Sequence, residues 1–228
     1  IEHQIQVVIN QWGLPFVSCR VLNKAKKGLK VKTIAVYHNQ VDTNARIKNV
    51  EIALESCVNP LKRSLLKLKK AAFKFVTSRS MAYVYHHTDI YQVLSPSYIP
   101  LFSKFTGINH PNHLMVQTNP VTLESSDFSY SFDKKEKEII YMGRIDYNQK
   151  RVYRVIDTWA KLEAQFPDWR LTIVGDGVER KNVEQQVADY GLHHVKFEGF
   201  QQPKPYYKRA SILLLTSEYE GFPLVLTE

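Results

Sequence analysis

Cysteine, glycine and methionine are all sparse in this chain, with 2 Cys, 9 Gly and 3 Met among 228 residues. The two cysteines, Cys19 and Cys57, offer neither metal-ligand spacing nor a disulfide framework. Histidines occur as the pairs His86-His87 and His193-His194, with no Cys or carboxylate at useful ligand spacing, so both pairs read as surface or strand-end residues. No Asp-x-Asp is present, and nothing in the sequence points to a catalytic metal. No apolar run approaches the roughly 18 residues of a membrane-spanning helix. Residues 1–30 lack the apolar core of a signal peptide. These absences lead us to expect a reduced, cytoplasmic setting. There is no internal repeat and no low-complexity tract.

Apolar material is plentiful, at 44% of residues, enough for one large domain or two smaller ones. Charge is uneven. Residues 1–136 hold 18 Lys or Arg against 9 Asp or Glu, whereas residues 137–228 hold 13 of each, so the net charge of +9 belongs to the first part. Much of it falls in residues 61–75, where Leu61, Leu65, Leu68, Ala72 and Phe75 share one helical face and Arg63, Lys67, Lys70 and Lys74 another. Such a helix suits an anionic membrane surface, or equally a core helix whose lysines face water; periodicity does not separate the two. Nucleic acid is not expected as a partner, because no binding motif accompanies the charge.

The second part alternates strands and helices. Residues 137–142 read as a strand entering a turn at Gly143-Arg144, followed by Lys150 and a helix with apolar Val152, Val155, Ile156, Trp159 and Leu162. Residues 169–174 form a second strand, ending at Gly175-Asp176-Gly177 and followed by a polar helix to about Tyr190. A third strand covers 194–199 with Gly199 at its end, a short helix covers 204–209, and residues 210–217 read as a buried strand. Beyond it lie Glu220-Gly221-Phe222-Pro223 and Glu228, two carboxylates eight positions apart, with a helix expected to open at 224–228. Strand–helix alternation predicts a doubly wound parallel sheet, whose ligands bind beyond the carboxyl ends of the strands. Carboxylates there can hold sugar or ribose hydroxyls, and helix-end amides can hold phosphate. That pairing suits a sugar joined to a nucleotide diphosphate.

Gly143-Arg144 with Lys150, then Gly175-Asp176-Gly177, Gly199, and Glu220-Gly221-Phe222-Pro223 with Glu228, resemble the donor-binding half of a retaining GT-B glycosyltransferase of family 4 (glycosyltransferase group 1). The resemblance implies two Rossmann-like domains, both incomplete here: 1–121 as the later part of the acceptor-side domain, 122–136 as linker, and 137–228 as the first part of the donor-binding domain. It implies that Arg144 and Lys150 neutralise the donor diphosphate, that Glu220 faces the donor sugar with Gly221 and Phe222 supplying backbone groups, and that Glu228 grips the ribose. His38, at the end of a strand over 32–37, matches the histidine that faces sugar and acceptor. The donor-binding set is then Gly143, Gly175, Gly177, Gly199, Gly221, Phe222 and Glu228. The donor would be a UDP- or GDP-sugar with no metal required, and the acceptor a glycan or lipid-linked glycan of a surface polysaccharide, handled at the inner face of a membrane.

In the first part, further strands are expected at 4–10 and 89–95, and residues 114–121 resemble the last strand of that domain and its exit. Starting at Ile1 and stopping inside the Glu220–Glu228 motif, the chain reads as a fragment, weak or inactive by itself. Two rivals remain open: a non-catalytic nucleotide-sugar-binding module, and a GT-B-fold nucleotide-sugar epimerase that needs no acceptor.

Overall fold

The computed structural model describes residues 5–121, 123 and 131–228. Most of the expected linker at 122–136 and the start of the strand expected at 4–10 lie outside the described residues. The chain divides into two units, Ile1–Pro120 with Glu220–Phe222, and Val121–Tyr219 with Pro223–Glu228.

The first unit is built on a parallel sheet of order β1-β2-β3-β4, with β1 at Val7–Asn10, β2 at Lys32–Val36, β3 at Ile90–Val93 and β4 at Leu114–Val116. Its helices are α1 (Phe16–Ala25), α2 (Ala45–Glu55), α3 (Pro60–His86) and α4 (Tyr98–Thr106). Ala35, Val41, Met81, Tyr85, Tyr91 and Phe102 form the centre of its core. β4 takes up the first three residues of the 114–121 stretch, Gln117 N still donates to Val93 O at 3.0 Å, and Pro120, which has no N–H for a ladder, lies in the exit.

Helix α3 separates the two readings of residues 61–75. The stripe chosen from periodicity points outward: Leu61 is 81% exposed, Leu65 67%, Leu68 68% and Phe75 67%. The packed side is instead Leu66, Lys70, Phe73, Thr77 and Met81, half-buried at first and buried by Thr77. Lys70 can lie there because Glu51 of α2 meets its ammonium at 2.8 Å, and Asn44, which caps α2, donates to the Thr77 hydroxyl at 3.1 Å. Arg63 is also engaged, donating to the carbonyls of Leu54 and Cys57 at 2.9 and 3.2 Å. The core reading of the 61–75 stripe is therefore overturned, and two of its four cations are tied back to the protein. Among the described residues no helix is long and apolar enough to cross a membrane.

The second unit carries a parallel sheet of order β7-β6-β5-β8. Its elements are β5 (Glu136–Met142), α5 (Tyr153–Trp159), β6 (Arg170–Val174), α6 (Arg180–Asp189), β7 (Val195–Gly199), α7 (Lys204–Arg209), β8 (Ala210–Leu213) and a single turn, α8 (Leu224–Thr227). β6 is central and covered on both faces, so Leu171, Thr172, Ile173 and Val174 are all buried, which is why its sequence is uncharged after Arg170. Val152, Val155, Ile156 and Trp159 pack beneath it as the helical spacing predicted. The buried strand expected over 210–217 is corrected on two counts: β8 stops at Leu213 and its Ile212 is 44% exposed. Among the described residues β8 pairs with β5 alone, at the edge of the sheet.

One carboxylate sits inside this sheet. Glu138 of β5 is fully buried, and its two oxygens accept from Thr172 Oγ1 (2.6 Å), Arg209 Nε (2.7 Å) and Arg170 Nε (3.3 Å). Burial pushes its carboxyl up, but the bonds from Arg209, Thr172 and Arg170 outweigh that and hold it at about 2. The lowered value means the network stabilises the fold fully above the ordinary value of 4.5, and that this stabilisation is lost as pH falls toward about 2. Glu138→Gln should cost about 2–3 kcal/mol in urea unfolding of the whole chain at neutral pH. It should also flatten the loss of stability between pH 4.5 and 2; an acid limb as steep as the wild type's would show that the buried carboxylate is not its source.

Candidate functional site

The turns that leave β5 and β6 are built against each other. Gly143 N donates to Val174 O at 3.0 Å, Ile145 N to Asp176 O at 2.9 Å, and Gly175 N to Gly199 O at 2.7 Å. At Gly175, where φ is +133°, a β-carbon would lie 1.9 Å from the Gly143 carbonyl oxygen; at Gly177 it would lie 2.2 Å from that of Ile145. Only glycine fits either position. The glycine spacing that suggested a ligand crevice therefore reports, at these two sites, one backbone passing close to another.

Above the turns lies a cavity of about 340 Å³ at the carboxyl ends of β5 and β6. Gly143, Arg144, Gly175 and Asp176 form one wall, the segment Phe200–Pro203 after β7 forms another, and Val225 and Glu228 close it from α8. The volume is within the range of pockets that take a small organic ligand. Phe200 is 84% exposed at its rim and presents an aromatic face.

Arg144 reaches out from its turn, with a side chain 62% exposed. Its Nε donates to Asp146 Oδ2 at 2.7 Å and its Nη2 to Gln149 Oε1 at 3.2 Å. Asp146 also accepts the backbone N–H groups of Gln149 and Lys150, at 2.7 and 3.2 Å. Its burial raises the carboxyl pKa, but those amides and the Arg144 guanidinium more than reverse this and keep it below the usual carboxylate range. The Lys150 side chain comes back toward the same turn: its ε-carbon would lie 4.0 Å from a β-carbon placed on Gly143. On the opposite wall the Tyr207 hydroxyl donates to Glu228 Oε2 at 3.2 Å, and burial together with that carboxylate raises the phenol well above its ordinary value.

Of the residues singled out from sequence, Gly143, Arg144, Gly175 and Glu228 thus line one cavity. Gly177 and Gly199 support the turns and are not among its lining residues. Glu220, Gly221 and Phe222 group with the first unit, as does His38. In that unit a β-carbon on Gly221 would lie 1.9 Å from the His38 carbonyl oxygen, and Gly221 O accepts the Tyr98 hydroxyl at 2.9 Å. His38 follows β2, is exposed, and shares a 2.5 Å hydrogen bond between its Nε2 and Gln11 Oε1. The helix expected at 224–228 is one turn only, α8, and contributes Val225 and its C-terminal neighbour Glu228 to the cavity. Asp146, Gln149 and Tyr207 escaped the sequence reading. Their bonds run to backbone groups and to other side chains, and no apolar period signals them. The separation of Asp146 from Arg144 by one residue was the only available sign. Among the described residues no group of three or more His, Cys, Asp or Glu is placed to hold a metal ion.

Residues 124–228 match the family described as glycosyl transferases group 1. The amylovoran biosynthesis glycosyltransferase AmsD of Erwinia amylovora is 32% identical over 103 residues, covering 44% of this chain and 28% of AmsD. Among solved structures, the apo form of the lipopolysaccharide outer core galactosyltransferase WaaB superimposes with a TM-score of 0.58 at 23% identity, over 97% of this chain and 53% of that one. The pneumococcal O-GlcNAc transferase GtfA, solved in complex with UDP and GlcNAc, superimposes with a TM-score of 0.64 at 14% identity, over 97% of this chain and 40% of that one. The matched stretches span about a third of the length of the curated relatives. This chain has the α/β fold, with parallel sheets, of the GT-B glycosyltransferase structures, and its residues 124–228 are similar to the glycosyl transferases group 1 family.

Proposed function

We propose that the protein transfers a sugar, with retention of anomeric configuration, from a nucleotide-diphosphate sugar to a glycan or lipid-linked acceptor in the synthesis of a surface polysaccharide. The observation that carries this reading is the single cavity that unites Arg144, two glycine turns and Glu228 at the carboxyl ends of parallel strands. The Arg144 guanidinium on one side suits a diphosphate, and a carboxylate on the other suits vicinal ribose hydroxyls. Arg144 and Lys150 stabilise the charge that develops on the leaving diphosphate, so their contribution is greatest in the transition state. Glu228, held by Tyr207, orients the ribose. Glu220 orients the donor sugar and forms no covalent bond to it, Gly221 and Phe222 lend backbone groups, and His38 faces the sugar and its acceptor. The acceptor hydroxyl attacks from the face that the leaving group vacates. The UDP bound in the GtfA structure and the fold shared with the lipopolysaccharide outer core galactosyltransferase WaaB support this substrate class.

The same reading gives the exposed stripe of α3 an anionic membrane surface. Leu61, Leu65, Leu68 and Phe75 stand out of the first unit, and Lys67 and Lys69 are exposed beside them. Buried leucines and headgroup contacts would act together, each cation contributing about 1 kcal/mol.

In calorimetry of the whole chain, UDP or GDP should bind saturably, and Arg144→Ala should weaken that binding by about 10–100-fold. No binding of either nucleotide, or binding indifferent to Arg144, overturns the donor site. In co-sedimentation with phosphatidylglycerol vesicles, replacing both Lys67 and Lys69 by Ala should lower partitioning by roughly 30-fold, that is about 2 kcal/mol. Equal partitioning of wild type and variant would remove the membrane from this account.

A further inference from the structure

The turn that bears Arg144 is fixed by two residues that the proposed chemistry does not use. Asp146 is 7% exposed and spends both carboxylate oxygens on this turn, Oδ2 on Arg144 Nε and Oδ1 on the N–H groups of Gln149 and Lys150. Gln149 accepts from Arg144 through Oε1, donates to Tyr219 O through Nε2 at 3.4 Å, and offers its own carbonyl to Glu218 N at 2.7 Å. The neighbouring bonds run the same way. Thr216 Oγ1 donates to Lys150 O at 2.9 Å, and the Glu218 carboxylate meets Arg154 at 3.1 Å and Arg151 at 3.5 Å. Arg151 adopts a φ of +53°, a conformation that non-glycine residues take only where surroundings impose it.

We propose that Asp146 and Gln149 are positioning residues, which set the Arg144 guanidinium for a diphosphate before any ligand arrives and lock its turn to the 216–219 segment that follows β8. This rests on the donor site proposed above. A guanidinium has five N–H donors. Asp146 and Gln149 each take one, which leaves three to meet phosphate oxygens and stops the side chain from sampling other rotamers. Ordering completed in the free protein is not charged against binding. The same bonds join two loops far apart in sequence, so a shift of either loop is felt at Arg144.

The alternative is that Asp146 only caps its own turn, for which asparagine serves as well as aspartate. Asp146→Asn keeps an acceptor for the Gln149 and Lys150 amides and removes the charge that holds Arg144. With the whole chain and calorimetry, the expected result is a roughly 10-fold loss of affinity for UDP or GDP, little change for the corresponding monophosphate, and no further loss when Asp146→Asn is added to Arg144→Ala. Gln149→Ala should behave likewise. If Asp146→Asn does not fold, Gln149→Ala carries the same comparison. Diphosphate affinity that depends on Arg144 but is unmoved in Asp146→Asn and Gln149→Ala overturns this proposal and spares the donor site. Equal losses for mono- and diphosphate, or additive losses with Arg144→Ala, overturn it as well. If neither UDP nor GDP binds the wild type, both proposals fall together.

Discussion

Gly175 has no room for a β-carbon, because the Gly143 carbonyl oxygen occupies that place, and the Gly143–Asp176 wall of the cavity is built on this contact. It brings the ends of β5 and β6 together more closely than side chains would allow. With Gly177 against Ile145 and Gly175 bonded to Gly199, three consecutive strand ends share one layer of backbone. Arg144 then projects from a support that cannot sag, since an altered turn would break ladder-like bonds on both sides. Sub-ångström placement of charged donors is what electrostatic stabilisation of a leaving group requires.

The base of the sheet is secured differently. Glu138 draws Arg170 and Arg209 onto one buried carboxylate, with Thr172 completing its acceptors. A buried ion of this sort is stabilising only if its bonds are all made, and here β6 supplies two partners, Arg170 and Thr172, and the end of α7 supplies Arg209. The unit is thus held at its lower end by charge and at its upper end by glycine contacts, with the apolar core of Val155, Ile156, Trp159 and Ile173 between them.

Much of this was legible in the residues. Leu171–Val174 announced a central strand because both of its faces are buried, and Val152, Val155, Ile156 and Trp159 announced the helix beneath it by their spacing. Gly143, Arg144, Gly175 and Glu228 were read together and do meet at one cavity. Helix α3 was harder. Its period offered one apolar stripe, which is exposed, and the side that packs includes Lys70, read as part of the basic face and met by Glu51 of α2. A distant ion pair leaves no mark on periodicity. For the same reason Asp146 and Gln149 were silent: side-chain bonds to backbone groups have no period. Gly177 packs against Ile145, and sequence alone does not tell a glycine that admits a ligand from one that admits another turn.

The cavity is consequently made of two materials. Its Gly143–Asp176 wall is main chain locked to main chain, where substitution is met by steric refusal. Its Phe200–Pro203 wall is a segment after β7 that lines the cavity with side chains and is held by local bonds, Gln201 Nε2 to Glu198 O at 3.2 Å and Tyr206 N to Pro203 O at 3.0 Å. Chemistry common to many ligands can be kept on the first while the second is exchanged, so that a change of preferred ligand needs no change of scaffold. A protein built this way can diversify what it recognises at little cost to what keeps it folded.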